Sequence, residues 1–180
     1  MAFDITFSLN DTDLAYFKDV MRKASDSAEK LDEKLVLETV KALSSEVKVG
    51  VPEFVVQRLN QLDNLVKMVE DLEWKIPEEE RKDVLSALAY FSNPTDLIPD
   101  HIPALGFLDD AIMIELVVND LRDNIDAYVE FSEYREREKK RKDPTTITTG
   151  DWLEAKRKEL HSRMYRRRHS SRSGSSFRVF

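Results

Sequence analysis

The sequence predicts an all-α protein, a single helical bundle of about five to six helices. Three observations lead there. Apolar residues recur at spacings of three and four over most of the chain before Tyr134, the period of a helix with one buried face. Only 4 Gly occur, and 35 % of residues are charged against 41 % hydrophobic, a balance that suits helices better than turn-rich sheets. Finally, the one alternating segment has no obvious second strand to pair with. At 180 residues the chain suits one domain with a single core, with room for appendages.

That alternating segment holds Phe3, Ile5, Phe7 and Leu9, and is expected to be a short extended arm lying on the helices. Ser8, Asn10 and Asp11 follow as candidate caps for the first helix. Its seam runs through Leu14, Phe17, Met21, Ala24, Ala28, Leu31 and Leu35. The Ser25-Asp26-Ser27 cluster leaves one long helix and two shorter ones both open. A second seam holds Val36, Val40, Leu43 and Val47, before Gly50 and Pro52 signal a stop. The next repeats the spacing at Val55, Leu59, Leu62, Val66, Val69 and Leu72.

Pro77 followed by Glu78, Glu79 and Glu80 opens another helix, since proline suits a helix start and carboxylates suit the positive end of its dipole. Val84, Leu85, Leu88 and Phe91 carry its apolar face, and Asn93-Pro94 ends it. A Pro/Asp-rich hairpin follows. From Asp109 the chain turns helical again, with Ile114, Val118, Leu121, Ile125 and Tyr128 on one face. EYREREKKRK, residues 133–142, is expected to be a solvated continuation.

Asp143-Pro144 begins a linker to Gly150, and Asp151 with Glu154 offers a capping box for a basic C-terminal helix. Trp152, Leu153, Leu160 and Met164 are too few to specify a deep packing face. From Arg166 the sequence is basic, Ser-rich and expected to be disordered. The organisation expected is an acidic helical domain over 1–142, a linker and basic helix over 143–165, and a disordered tail over 166–180.

Charge divides the chain. Residues 1–134 hold 13 Lys and Arg against 29 Asp and Glu, a balance of −16, whereas residues 135–180 hold 15 against 6, a balance of +9. Either the basic part folds back onto the acidic body, or it meets nucleic acid, anionic lipid or an acidic partner. For the second reading Arg163, Arg166, Arg167, Arg168 and Arg172 are the candidate anion contacts. No recognised nucleic-acid module accompanies them.

Cysteine is absent, which removes disulfides, thiolate metal sites and thiol nucleophiles. No Walker A, G-x-G-x-x-G or G-x-S-x-G motif occurs, and the 3 His are scattered, so no conventional triad is expected. No stretch approaches the roughly 18 apolar residues of a spanning helix. The opening residues have neither a basic n-region nor an apolar h-region, so the expected location is cytoplasmic, with a peripheral position at the inner face of the membrane as the other reading.

The densest pattern is PTDLIPDHIPALGFLDD, with Pro94, Asp96, Leu97, Ile98, Pro99, Asp100, Ile102, Pro103, Leu105, Gly106, Asp109 and Asp110 at its fixed positions. It resembles the YkvA-like family (domain of unknown function 1232), whose core is a P-x-D-L-I-P-D-x-I-P-x-L-G-x-x-D-D hairpin between two apolar helices. The likeness covers residues 84–118. It implies a turn flanked by helices, and it brings no established reaction; many relatives are described as membrane-associated.

Two readings of the aspartates follow from their chemistry. As turn and helix caps they would satisfy backbone amides freed by the prolines. As a cluster, Asp96, Asp100, Asp109 and Asp110 would offer hard oxygen ligands to Mg²⁺ or Mn²⁺, with His101 adding a nitrogen. The expectation is the first: no cofactor, no catalytic residues, and a non-enzymatic domain that binds a protein partner or an anionic membrane surface. A metal-dependent enzyme built on the Asp cluster and a nucleic-acid accessory protein acting through the tail are the alternatives. Oligomeric state is not legible.

Overall fold

A computed structural model describes residues 8–28, 32–46, 53–92, 108–141 and 149–172. Seven helices account for nearly all of them: α1 Asp11–Ala28, α2 Glu33–Glu46, α3 Glu53–Glu70, α4 Glu78–Ser92, α5 Leu108–Asp120, α6 Arg122–Lys140 and α7 Thr149–Arg172. No strand occurs among the described residues, and the all-α bundle is as expected, with one helix more than the upper count. Phe3, Ile5 and Phe7 of the expected arm lie outside the described residues.

Local chemistry sets the starts. Asn10 Oδ1 accepts from the backbone N–H of Thr12 at 2.8 Å and of Asp13 at 3.1 Å, while Asp13 Oδ2 accepts from the Asn10 N–H at 3.0 Å. This reciprocal cap satisfies donors that the first turn leaves open. Asp32 does the same for α2, accepting from the Lys34 N–H at 3.0 Å. Pro77 stands just ahead of α4, its carbonyl accepting from Arg81 N–H at 2.8 Å.

The chain takes two helices, α1 and α2, but the Ser25-Asp26-Ser27 cluster is not the break: it lies inside α1, which runs to Ala28, and α2 starts at Glu33. Leu35, placed by its spacing on the seam of α1, instead lies in the first turn of α2 and is exposed. Val36 and Val40 face the core as expected. The helix expected from Asp109 onward is divided at Leu121, which is not itself helical (φ −96°, ψ 13°). Leu121 N–H still donates to the Val117 carbonyl and Ile125 N–H to the Leu121 carbonyl, so α5 and α6 meet at a bend and not at a gap.

The core has α4 at its centre. It packs against α1, α2 and α3, and five successive residues, Ala87 to Phe91, are buried, as only a helix covered on most sides allows. On its other sides α3 packs on α2, α5 and α6. Met21, Val40, Leu62, Leu65, Met68, Leu88, Phe91, Met113 and Ile114 form one continuous apolar cluster with Phe131 and Leu160 from the last two helices. Leu72, expected to continue the apolar face of α3, is 86 % exposed because the helix has already ended at Glu70.

Two expectations for the C-terminal part need correction. Arg166 to Arg172, expected to be disordered, continue α7, and only residues 173–180 of the tail lie outside the described residues. The few apolar residues of α7 do define a packing face: Leu153, Leu160 and Met164 are all buried and join the main core. α7 packs along α6 in the opposite direction, as Trp152 meets Tyr134 near one end while Arg167 meets Asp123 near the other.

A candidate binding face beneath the basic helix

The turn between α3 and α4 sets up this face. Asp71 Oδ1 accepts from the backbone N–H of Glu73 at 2.9 Å and of Trp74 at 3.1 Å, folding the chain back on itself. Its other oxygen accepts from the Tyr128 hydroxyl at 3.1 Å and from the Arg135 guanidinium at 2.7 Å. Burial alone would raise the Asp71 carboxyl, but the Trp74 amide and Arg135 outweigh it and hold it below the ordinary carboxylate range. Arg135 also bonds Glu73 at 2.8 Å. Its side chain is only 15 % exposed, so the stretch expected to be solvated contributes a central residue.

The same turn buries Trp74 completely. Its ring meets Phe131 at 5.0 Å, Tyr128 at 5.8 Å and, edge-on, His161 of α7 at 4.4 Å. Burial, reinforced by the neighbouring Arg157 cation, pushes His161 down to about 4 against the opposing hydrogen bond to the Trp74 backbone. The imidazole is therefore neutral near pH 7, and its Nε2 has no hydrogen-bond partner among the described residues.

Around this apolar centre α7 is fastened by charge. Glu130 of α6 receives Lys156 at 2.8 Å and also Arg163. Hydrogen bonds from these two cations hold the Glu130 carboxyl below its usual range. Arg167 reaches Asp123 at 3.2 Å, and Arg157 donates to the Glu73 carbonyl at 3.0 Å. Arg168 reaches α4, bonding Asp83 at 2.7 Å and lying 3.5 Å from Glu80. Glu80 is the one buried charged residue among those described, 5 % exposed in the first turn of α4, and Arg168 is the cation that faces it. A cleft of about 720 Å³ opens beside this contact, with Glu78, Glu79 and Glu80 on one wall and His161, Tyr165 and Arg166 on the other.

The candidate anion contacts thus divide. Arg163, Arg167 and Arg168 are turned onto carboxylates of the body, while Arg166 is exposed at the cleft. Arg172 ends α7, and its side chain lies outside the description. Of the other candidate residues, Pro94, Asp96, Leu97, Ile98, Pro99, Asp100, His101, Ile102, Pro103 and Gly106 all fall outside the described residues. Asp109 and Asp110 are in the first turn of α5, their side chains not described. Among the described residues no group of three or more His, Asp or Glu is arranged to hold a metal ion. No described helix is long and apolar enough to cross a membrane.

The seat of α7 was not legible from the sequence. Its anchors on the body, Asp71, Trp74, Glu80 and Asp123, are far from it along the chain. The charge division between residues 1–134 and 135–180 was the available signal, and it pointed to folding back as one of two outcomes.

Residues 84–116 match a family model described as "Protein of unknown function (DUF1232)". The match takes in α4 from Val84, the Pro/Asp-rich segment and α5 as far as Leu116. No curated protein matches the chain, and no solved structure does.

Proposed function

From a segment shared with a family of unknown function and a basic helix seated on an acidic body, we propose that this protein is a non-enzymatic binding domain of the adaptor type. Its acidic, helical body recognises a cationic helical partner. The observation that supports this reading is the seat of α7, where Glu130, Asp123, Asp83 and Glu80 meet four cations around a buried aromatic centre. Such a face combines an apolar anchor with charge that sets orientation, the combination by which helices are recognised in grooves.

The same geometry argues against an α7 that serves mainly to contact phosphates. Three of its arginines are engaged by carboxylates, and each would have to break an existing pair to reach an anion. Charge complementarity within the body also makes contact with a polyanion unfavourable while α7 is seated.

The test is a binding comparison on the full chain at about 0.1 M and about 0.5 M salt. Cationic amphipathic helical peptides, proline-broken peptides of equal charge, phosphatidylserine vesicles and single-stranded RNA are offered in parallel. Binding of the helical peptides over the broken ones, weakened by salt, is the expected result. Binding to vesicles or RNA, with no preference for a helical peptide, would overturn the reading.

A further inference from the structure

We infer that α7 is a built-in pseudo-ligand: it occupies in cis the surface on which the body takes the cationic amphipathic helix of a partner. This rests on the proposed binding reading and gives that reading a location and a mode of control.

Three features carry it. First, the seat belongs to the body and is not made by α7. Asp71 and its turn fix Trp74 from the α3–α4 side, and α4 carries Glu80 and Asp83, Glu80 being buried with α7 in place. A carboxylate so placed is unfavourable without a cation opposite, so the body calls for a basic residue at that point. Second, the demand has a pattern. Two cations seven positions apart, Lys156 and Arg163, converge on Glu130, and an adjacent pair, Arg167 and Arg168, divides between α6 and α4. Between them Leu160 and Met164 give apolar contact at the spacing of one helical turn.

Third, α7 fills the seat imperfectly. Trp74 Nε1, His161 Nε2 and Arg168 Nε are all buried there with no hydrogen-bond partner among the described residues. Each such atom lowers the affinity of α7 for its own seat. An intramolecular helix compensates by its high effective concentration, and a partner that satisfies those atoms can displace it. A partner helix carrying a hydrogen-bond acceptor opposite the Trp74 indole N–H has this advantage.

The experiment uses the full chain and a labelled synthetic peptide of residues 149–172 followed by fluorescence anisotropy. Arg163→Glu with Arg168→Glu sets like charges against Glu130, Glu80 and Asp83 and opens the seat. The peptide is expected to bind this variant at least ~10-fold more tightly than the unaltered chain, whose seat is filled. Adding Glu130→Gln and Asp83→Asn to the opened variant takes away two carboxylates that the peptide would meet and should remove its binding. Should the glutamate variant lose its far-UV helical signal, Arg163→Ala with Arg168→Ala opens the seat without repulsion and the same comparison is made. Equal binding to opened and unaltered chains, or binding to neither, overturns the inference. Helix-selective binding elsewhere on the unaltered chain would leave the broader reading standing; a preference for vesicles or RNA would remove both.

Discussion

Asp71 accepts from four donors, two in the α3–α4 turn and two on α6, so its removal breaks a turn cap and an ion pair together. Asp71→Ala should cost about 2–4 kcal/mol in urea unfolding, because Arg135 is then buried without its main partner. Tyr128→Phe, which removes one donor and leaves the carboxylate and guanidinium paired, should cost only about 1 kcal/mol. Four residues after Asp71, Lys75 has φ 49°, a left-handed conformation that a side chain with a Cβ resists. Lys75→Gly is expected to leave stability unchanged or raise it by up to about 1 kcal/mol, despite the entropy glycine adds to the unfolded chain. A loss of more than that on chemical unfolding would mean that the lysine side chain stabilises the turn.

At the scale of the element, α7 separates charges that look alike in the sequence. Arg167 is half exposed and its pair with Asp123 is screened, so Arg167→Ala should cost less than about 1 kcal/mol. The Arg168 side chain is 13 % exposed and faces buried Glu80, so Arg168→Ala should cost about 2–4 kcal/mol. Thermal unfolding of the two variants under one buffer decides whether this ranking holds. Periodicity made the faces of α3 and α4 legible, with Val55, Leu59, Leu62, Val84 and Leu88 all buried as their spacing requires. It failed where an element ended early, as at Leu72, and where burial comes from a distant partner, as at Arg135. A run such as EYREREKKRK looks solvated because its partners, Asp71 and Glu73, lie some sixty positions upstream. The Pro/Asp-rich segment was the most specific pattern in the sequence, whereas the binding face rests on long-range charge.

The whole molecule should lose stability in two acid stages. His161 is held neutral in the fold at about 4, against an ordinary value of 6.5. An unfolded chain therefore takes up this proton first, and stability contributed by the neutral imidazole is present above pH 6.5 and lost as pH falls towards 4. The loss by pH 5 is on the order of 1–2 kcal/mol, read from urea midpoints across the range. Asp71 and Glu130, both held below their ordinary values, contribute stability above those values that is lost as pH falls further, through their folded-state values. His161→Gln should flatten the first stage and leave the second in place.

The antiparallel pairing of α6 and α7 also has a consequence in time. α7 is the last described helix to leave the ribosome, and it alone brings His161 and Arg168 to Trp74 and Glu80. At ordinary synthesis rates its 24 residues take about 1–5 s to appear. For that interval the nascent body lacks the contact of His161 with Trp74 and of Arg168 with Glu80.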